Sequence, residues 1–186
     1  MVDAQEECYW LKLTEENQKY LKNLLWEVLK KEQVPAVRRV ICELLGELAA
    51  TIMNYKYTME EGDQCSPEAI TWDDLMVRIW ELLSSDDNGL IEGALKIMGI
   101  LFTFCMNDYA QFKSELVPMF KKTLEHSDHK IKASAIEAFT SFLKTADFQD
   151  GAHFNELMPL LFSGVIYILE KDEELVRERI FNIITC

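Results

Sequence analysis

Apolar residues recur along this chain at three- and four-residue steps almost throughout, and continuous β-branched runs bounded by turns are missing. The pattern predicts an all-α protein. Self-comparison sharpens this, because Glu115-Leu116-Val117-Pro118 returns as Glu156-Leu157-Met158-Pro159 and has a degenerate earlier copy in Asp74-Leu75-Met76-Val77. The copies start at 74, 115 and 156, 41 residues apart both times. A second pattern follows at a near-constant interval: Val37-Arg38, Leu90-Ile91, Ile131-Lys132 and Val176-Arg177 each open an apolar helix.

Each unit is therefore a helix pair, A then B. The spacing predicts A helices near 15–31, 72–84, 109–126 and 153–170, and B helices near 35–53, 87–106, 129–146 and 173–186. Thr71 with Asp74 and Asp108 with Gln111 read as N-caps, while Asp86, Asp128 and Asp172 mark the turns from A to B. Pro118 and Pro159 fall in the second turn or later of their A helices, where the lost hydrogen bond should bend a helix rather than end it. A period near 41 with two helices is the HEAT or armadillo length, not that of a tetratricopeptide or ankyrin unit. The expected architecture is a right-handed α-α superhelix, a HEAT/armadillo-like solenoid of about four helix pairs. Its repeats cover about 10–53, 72–106, 109–146 and 153–186, with a link at 54–71.

The B helices align column by column. Counting from Val37, Leu90, Ile131 and Val176 as position zero, position four is Ile41, Ala94, Ala135, Ile180. Position seven is Leu44, Ile97, Ala138, Ile183, and position eight is Leu45, Met98, Phe139, Ile184. Steps of 0, 4, 7 and 8 trace one helical stripe, which is the expected core. Position nine holds Gly46, Gly99, Thr140 and Thr185, small enough to let neighbouring helices approach. Positions two and six form the expected exposed face: Arg39/Glu43, Glu92/Lys96, Ala133/Glu137 and Glu178/Asn182. With Glu47, the polar residues of this face (Arg39, Glu43, Glu47, Glu92, Lys96, Glu137, Glu178, Asn182) are the candidate protein-binding residues, because B helices usually line the concave side of a curved solenoid. The bland alternative for a charge stripe is a solvated face.

Composition changes the picture mainly through charge. The 186 residues carry 32 acids against 19 bases, a net charge of −13, which disfavours nucleic acid and suits basic partners. Six acids (Glu60, Glu61, Asp63, Glu68, Asp73, Asp74) and one base (Lys56) lie between Asn54 and Asp74, so the link is a solvated loop or an acidic contact element. The longest apolar run, Leu157 to Leu169, contains Pro159 and Gly164 and is too short to span a membrane. The N-terminus has acids where a signal peptide carries bases, and five scattered Cys without a CxxC favour reduced thiols inside the cell. The last residues, Arg179 to Cys186, form an apolar stretch without a C-cap signal, as expected of a piece of a longer solenoid exposing Ile180, Ile183 and Ile184.

Catalytic and ligand signatures are sparse. His126-Ser127-Asp128-His129 lacks a third ligand at a sensible spacing and reads as a polar turn, and Asp86-Asp87-Asn88-Gly89 reads as a helix cap, not a calcium loop. No GxGxxG, P-loop, GxSxG or HExxH occurs, so no enzyme, cofactor or metal is expected. The four Trp (Trp10, Trp26, Trp72, Trp80) and ten Phe could form aromatic pockets for peptide motifs, but at helical spacing most of them are expected in the core.

Several segments in one order carry a family resemblance: Tyr9-Trp10-Leu11-Lys12-Leu13 with Gln18 and Leu21-Lys22, then Val37-Arg38-Arg39-Val40-Ile41-Cys42-Glu43 with Glu47-Leu48-Ala49, then Trp72. Ser84-Ser85 through Gly89-Leu90-Ile91-Glu92-Gly93-Ala94-Leu95 and Phe154-Asn155-Glu156-Leu157-Met158-Pro159 keep the register. Over almost its whole length the chain resembles the importin-beta (karyopherin-beta) superfamily, nearest the importin-five branch. The resemblance implies a nuclear transport receptor of cytoplasm and nucleus that binds basic cargo signals on its inner face. It further implies release by Ran-GTP through the early B helices, Phe-Gly nucleoporins on the outer A-helix face, and earlier repeats before this segment. Ile91 departs from the pattern by standing where the family prefers a cation. A HEAT scaffold of another class, or a regulatory domain that borrows the fold, stays open as the alternative.

Overall fold

The computed structural model describes residues 9–58, 71–104, 112–145 and 152–171. Among them lie seven α-helices and no strand: α1 (Glu15–Lys31), α2 (Pro35–Thr58), α3 (Leu75–Leu83), α4 (Asn88–Phe104), α5 (Lys113–Leu124), α6 (His129–Thr145) and α7 (Met158–Lys171). Short 3-10 stretches at Tyr9–Lys12 and Ala152–Leu157 precede α1 and α7. The expected fourth B helix, with Val176, Ile180, Ile183 and Ile184, lies outside the described residues, as do most of the acidic link and the Asp108 cap.

The helices pair as the period requires, α1 with α2, α3 with α4 and α5 with α6, and the broadest contacts run α2 to α4 and α4 to α6. The B helices thus form one continuous layer. Small residues permit this: a Cβ at Gly46 would stand 2.7 Å from Ile100 Cδ1, and one at Gly93 would stand 2.7 Å from Cys42 Sγ. At Gly99 the nearest atom would be Ala138 Cα at 3.4 Å, an ordinary contact. Gly99→Ala should therefore keep most of the roughly 1 kcal/mol helix-propensity gain. Gly93→Ala should cost about 1–3 kcal/mol, because the buried Cys42 has nowhere to move. Urea unfolding of both variants checks this, and the reverse order would overturn the close-approach account.

Between the layers lies an aromatic core. Phe142 packs on Phe154 with ring centroids 4.5 Å apart and on Phe102 at 5.3 Å, and Phe120 meets Phe139 at 4.9 Å. These five rings come from α4, α5, α6 and the 3-10 stretch before α7, so they join the last three repeats. At the other end Trp26 meets Trp72 edge to face, and Trp10, Trp26 and Trp72 are all buried, in line with the core reading of the tryptophans.

Several boundaries depart from expectation for identifiable reasons. α2 continues to Thr58, five residues past its expected end, and takes up the start of the link. α3 begins at Leu75 instead of Trp72, with Asp74 and not Thr71 at its N-cap. Tertiary contacts hold Thr71 and Trp72 out of the helix: the Lys22 ammonium donates to the Thr71 carbonyl at 2.6 Å and stands over the Trp10 and Trp72 rings. The Asp74 carboxylate instead accepts from Arg78, which also donates to Asn23 on α1. Pro118 sits inside α5 without ending it, as expected, whereas Pro159 falls in the first turn of α7 because the residues before it are 3-10. There the missing N–H costs no helix bond.

The core stripe holds in α4 and α6, where Ala94, Ile97, Met98, Ile131, Ala135, Ala138 and Phe139 are buried. In α2 only Ile41 and Leu45 follow it, while Val37 and Leu44 are 44% and 50% exposed. Among the described residues no earlier B helix stands against α2, whereas α4 stands against α2 and α6 against α4.

Candidate functional site

At the N-terminal ends of the B helices runs an inter-repeat ladder. Arg38, nearly buried on α2, grips Asp87 at the threshold of α4 with two bonds: Nη1 to Oδ1 at 3.1 Å and Nη2 to Oδ2 at 3.2 Å. The same guanidinium donates to the Glu32 carbonyl at the turn before α2. Asp87 Oδ1 also accepts from the Gly89 N–H at 2.8 Å and thereby caps α4. One period later Asp128 repeats the arrangement, taking the Lys130 N–H on Oδ1 at 2.8 Å and the Asn88 amide on Oδ2 at 2.9 Å. Asp87 and not Asp86 is therefore the turn acid of the second repeat, one residue from the expected position. Asn88 resolves the departure at Ile91: the second repeat has no cation in the usual place, and a side chain one turn earlier supplies the rung. The third repeat's Lys132 stands over the Tyr167 ring on α7, 5.1 Å from its centroid.

The neighbouring motifs read as structure. His126 Nδ1 accepts the Asp128 N–H at 3.0 Å, closing the turn from α5 to α6, which is the polar-turn role expected of the His126–His129 segment. Among the described residues no cluster of His, Cys, Asp and Glu could hold a metal, and no helix is long and apolar enough to cross a membrane.

Desolvation alone would raise the Asp87 and Asp128 carboxyls. The Gly89 N–H and the Arg38 guanidinium at Asp87, and the Lys130 N–H and the Asn88 amide at Asp128, outweigh it and hold both below the ordinary aspartate value. A carboxyl depressed in the folded state stabilises the fold above its unfolded pKa and ceases to as pH falls through the folded one. The ladder should therefore weaken below about pH 4. Urea midpoints followed from neutral pH into that range should fall less steeply in Asp87→Asn than in the parent. Equal slopes would show that the rung does not titrate.

The candidate residues lie further along the same B helices. Arg39 and Glu47 on α2 are exposed, and Glu43, Glu92, Lys96 and Glu137 are half-buried on α2, α4 and α6. Lys96 reaches across from α4 to pair with Glu43 on α2 at 2.5 Å. Glu43, Glu92, Lys96 and Arg38 all lie near enough to act on the Cys42 thiol, which burial pushes up to about 12. That thiol stays protonated and behaves as a small hydrophobe. The structure thus brings Glu43 of α2 to Lys96 of α4, with Glu92 nearby. Ala133, expected beside Glu137 on the exposed face, is instead buried. Glu178 and Asn182 lie outside the described residues. Spacing did not disclose the Glu43 to Lys96 pair, which depends on how far α4 is shifted along α2. The rungs at Asp87 and Asn88 had a visible signal, since Asp87 and Asp128 stand one period apart and each precedes a helix start.

The comparisons agree with this architecture. No curated protein matches the chain. The family described as IPO5-like, TPR repeats, matches residues 33–185, from the turn before α2 through the remaining repeats. Its description says TPR, yet the period of 41 and the B-on-B layer are those of a HEAT-length unit. The chain belongs to the IPO5-like repeat family.

Proposed function

We propose that this chain is a segment of an importin-type nuclear transport receptor, shuttling between cytoplasm and nucleus, whose B-helix face binds basic segments of protein cargo. The observation that carries the proposal is the match to the IPO5-like family over most of the chain. The acidic candidate face supports it: Glu43, Glu47, Glu92 and Glu137 share a layer with only Arg39 and Lys96 as counter-charges among the candidates, in a chain of net charge −13. Such a face attracts a basic peptide over a range set by ionic strength. By the same family membership, Ran-GTP would contact the early B helices to release cargo, and Phe-Gly nucleoporins would meet the A-helix side. An importin-like repeat family is a scaffold type, and the proposed role is binding without catalysis.

Two measurements test this. A pull-down with Ran loaded with GTP or GDP should show GTP-dependent capture, and equal or absent binding would overturn the transport reading in favour of a HEAT scaffold. Reversing Glu47, Glu92 and Glu137 to Lys together should weaken a basic peptide by about tenfold at low salt, from roughly 0.5 kcal/mol per exposed pair. Glu43 is left intact because a Lys there would face Lys96 and confound stability with binding. Unchanged affinity at low salt would reject this face as the site.

A further inference from the structure

Lys96 is out of pattern in its column of the B helices. At position six α2 has Glu43 and α6 has Glu137, while α4, which packs against both of these helices, has a lysine. Glu92 stands one turn before it on α4, on the same side of that helix. The ammonium reaches across the helix boundary to the Glu43 carboxylate at 2.5 Å.

This contact is not made like the inter-repeat fastening beside it. Arg38 holds Asp87 with two bonds from a side chain only 10% exposed, and holds the Glu32 carbonyl as well. Lys96 makes one contact to Glu43, and the two side chains stay 31% and 42% exposed. Water and salt compete for both charges of such a pair, so it contributes little to folding. The same openness admits a third charge. A cation of a bound segment finds the Glu43 carboxylate already occupied and reaches it only by displacing an ammonium. A flexible stem carrying a point charge gives way readily, as a guanidinium held at three oxygens does not. We propose that Lys96 is a built-in stand-in for a basic ligand, seated on Glu43 until a cation of an incoming segment displaces it. The inference rests on the reading of the acidic B-helix residues as the place where basic segments bind, and it concerns the selectivity of that place. A lone cation that exchanges with Lys96 gains little, whereas a segment with several cations engages Glu47, Glu92 and Glu137 as well.

Binding of a fluorescent oligolysine peptide at low salt tests this. Lys96→Met keeps the aliphatic stem, removes the charge and should tighten binding by at least about threefold. Arg39→Met removes the same charge from an exposed side chain that is in no ion pair among the described residues, and should tighten it by less than about 1.5-fold. In a Glu43→Gln background the gain from Lys96→Met should fall to the Arg39→Met level, because no carboxylate is left to release. Equal gains from Lys96→Met and Arg39→Met, or a gain undiminished by Glu43→Gln, would overturn the proposal by showing only an effect of net charge. Binding that is weakened by reversing Glu47, Glu92 and Glu137 but indifferent to Lys96→Met would overturn this inference and leave the binding face standing. No binding by the parent or by any variant would overturn the face and this inference together.

Discussion

Phe142→Ala is expected to destabilise the fold by about 4 kcal/mol, a large share of the roughly 5–15 kcal/mol that holds a domain together. The ring is fully enclosed, and its neighbours come from three repeats: Phe102 on α4 edge to face, Phe120 on α5 at 6.3 Å, and Phe154 ahead of α7. Truncation removes the transfer energy of the benzyl group and leaves a void that the other rings cannot all collapse into. It also removes aromatic pair contacts worth about 0.5–1.5 kcal/mol each beyond burial. In a linear array, stability is approximately a sum of repeat and interface terms, so damage at a junction should uncouple the parts it joined. The denaturant transition should therefore broaden or split as well as shift. Phe162→Ala is the control, because Phe162 is largely exposed and its loss should change little. A shift below about 1.5 kcal/mol for Phe142→Ala, or a comparable one for Phe162→Ala, would show that the cluster does not join the repeats.

How much of this was legible beforehand varies with the kind of information required. The bounds of α1 fell where expected, since charge and capping agree there: Glu15 and Glu16 open the helix, Lys30 and Lys31 close it, and Thr14 caps it. The B-helix columns were legible because helical periodicity encodes which side of a helix is apolar. Periodicity does not encode whether a neighbour is present, which is why Val37 and Leu44 read as core and stand open. Trp72 was misplaced for a different reason. Its helical spacing was real, but the Lys22 ammonium and the Trp26 ring lie 50 and 46 residues away in the chain, and their hold on residues 71 and 72 is tertiary. The choice between Asp86 and Asp87 turned on which carboxylate faces the N–H groups of α4, a matter of backbone angles that two adjacent identical residues cannot disclose. The Lys96 to Glu43 pair was not legible, because it depends on the relative shift of two helices.

Removing the Arg38 rung should have the next largest effect, about 2 kcal/mol. The guanidinium is nearly buried, with its side chain 10% exposed, so it cannot be replaced by water without rearrangement. Its loss leaves the Glu32 carbonyl and the Asp87 carboxylate without their shared donor. A fully buried pair broken from one side costs about 3–5 kcal/mol, and the partial exposure of Asp87 reduces that figure. Arg38→Lys should recover little, since an ammonium cannot make the bidentate contact and reach the Glu32 carbonyl at the same time. A double-mutant cycle with Asp87→Ala separates the rung from the cap that Asp87 also provides to α4. The single Asp87 variant loses both, and the coupling energy reports the rung alone, expected at about 1–2 kcal/mol. The same cycle on Asn88 and Asp128 should give about 0.5 kcal/mol, because that rung joins a neutral amide to a carboxylate near solvent. If both cycles return values near zero, the ladder is a consequence of helix packing and contributes nothing of its own. The B layer would then be held by the Gly46, Gly93 and Gly99 contacts and the aromatic cluster alone.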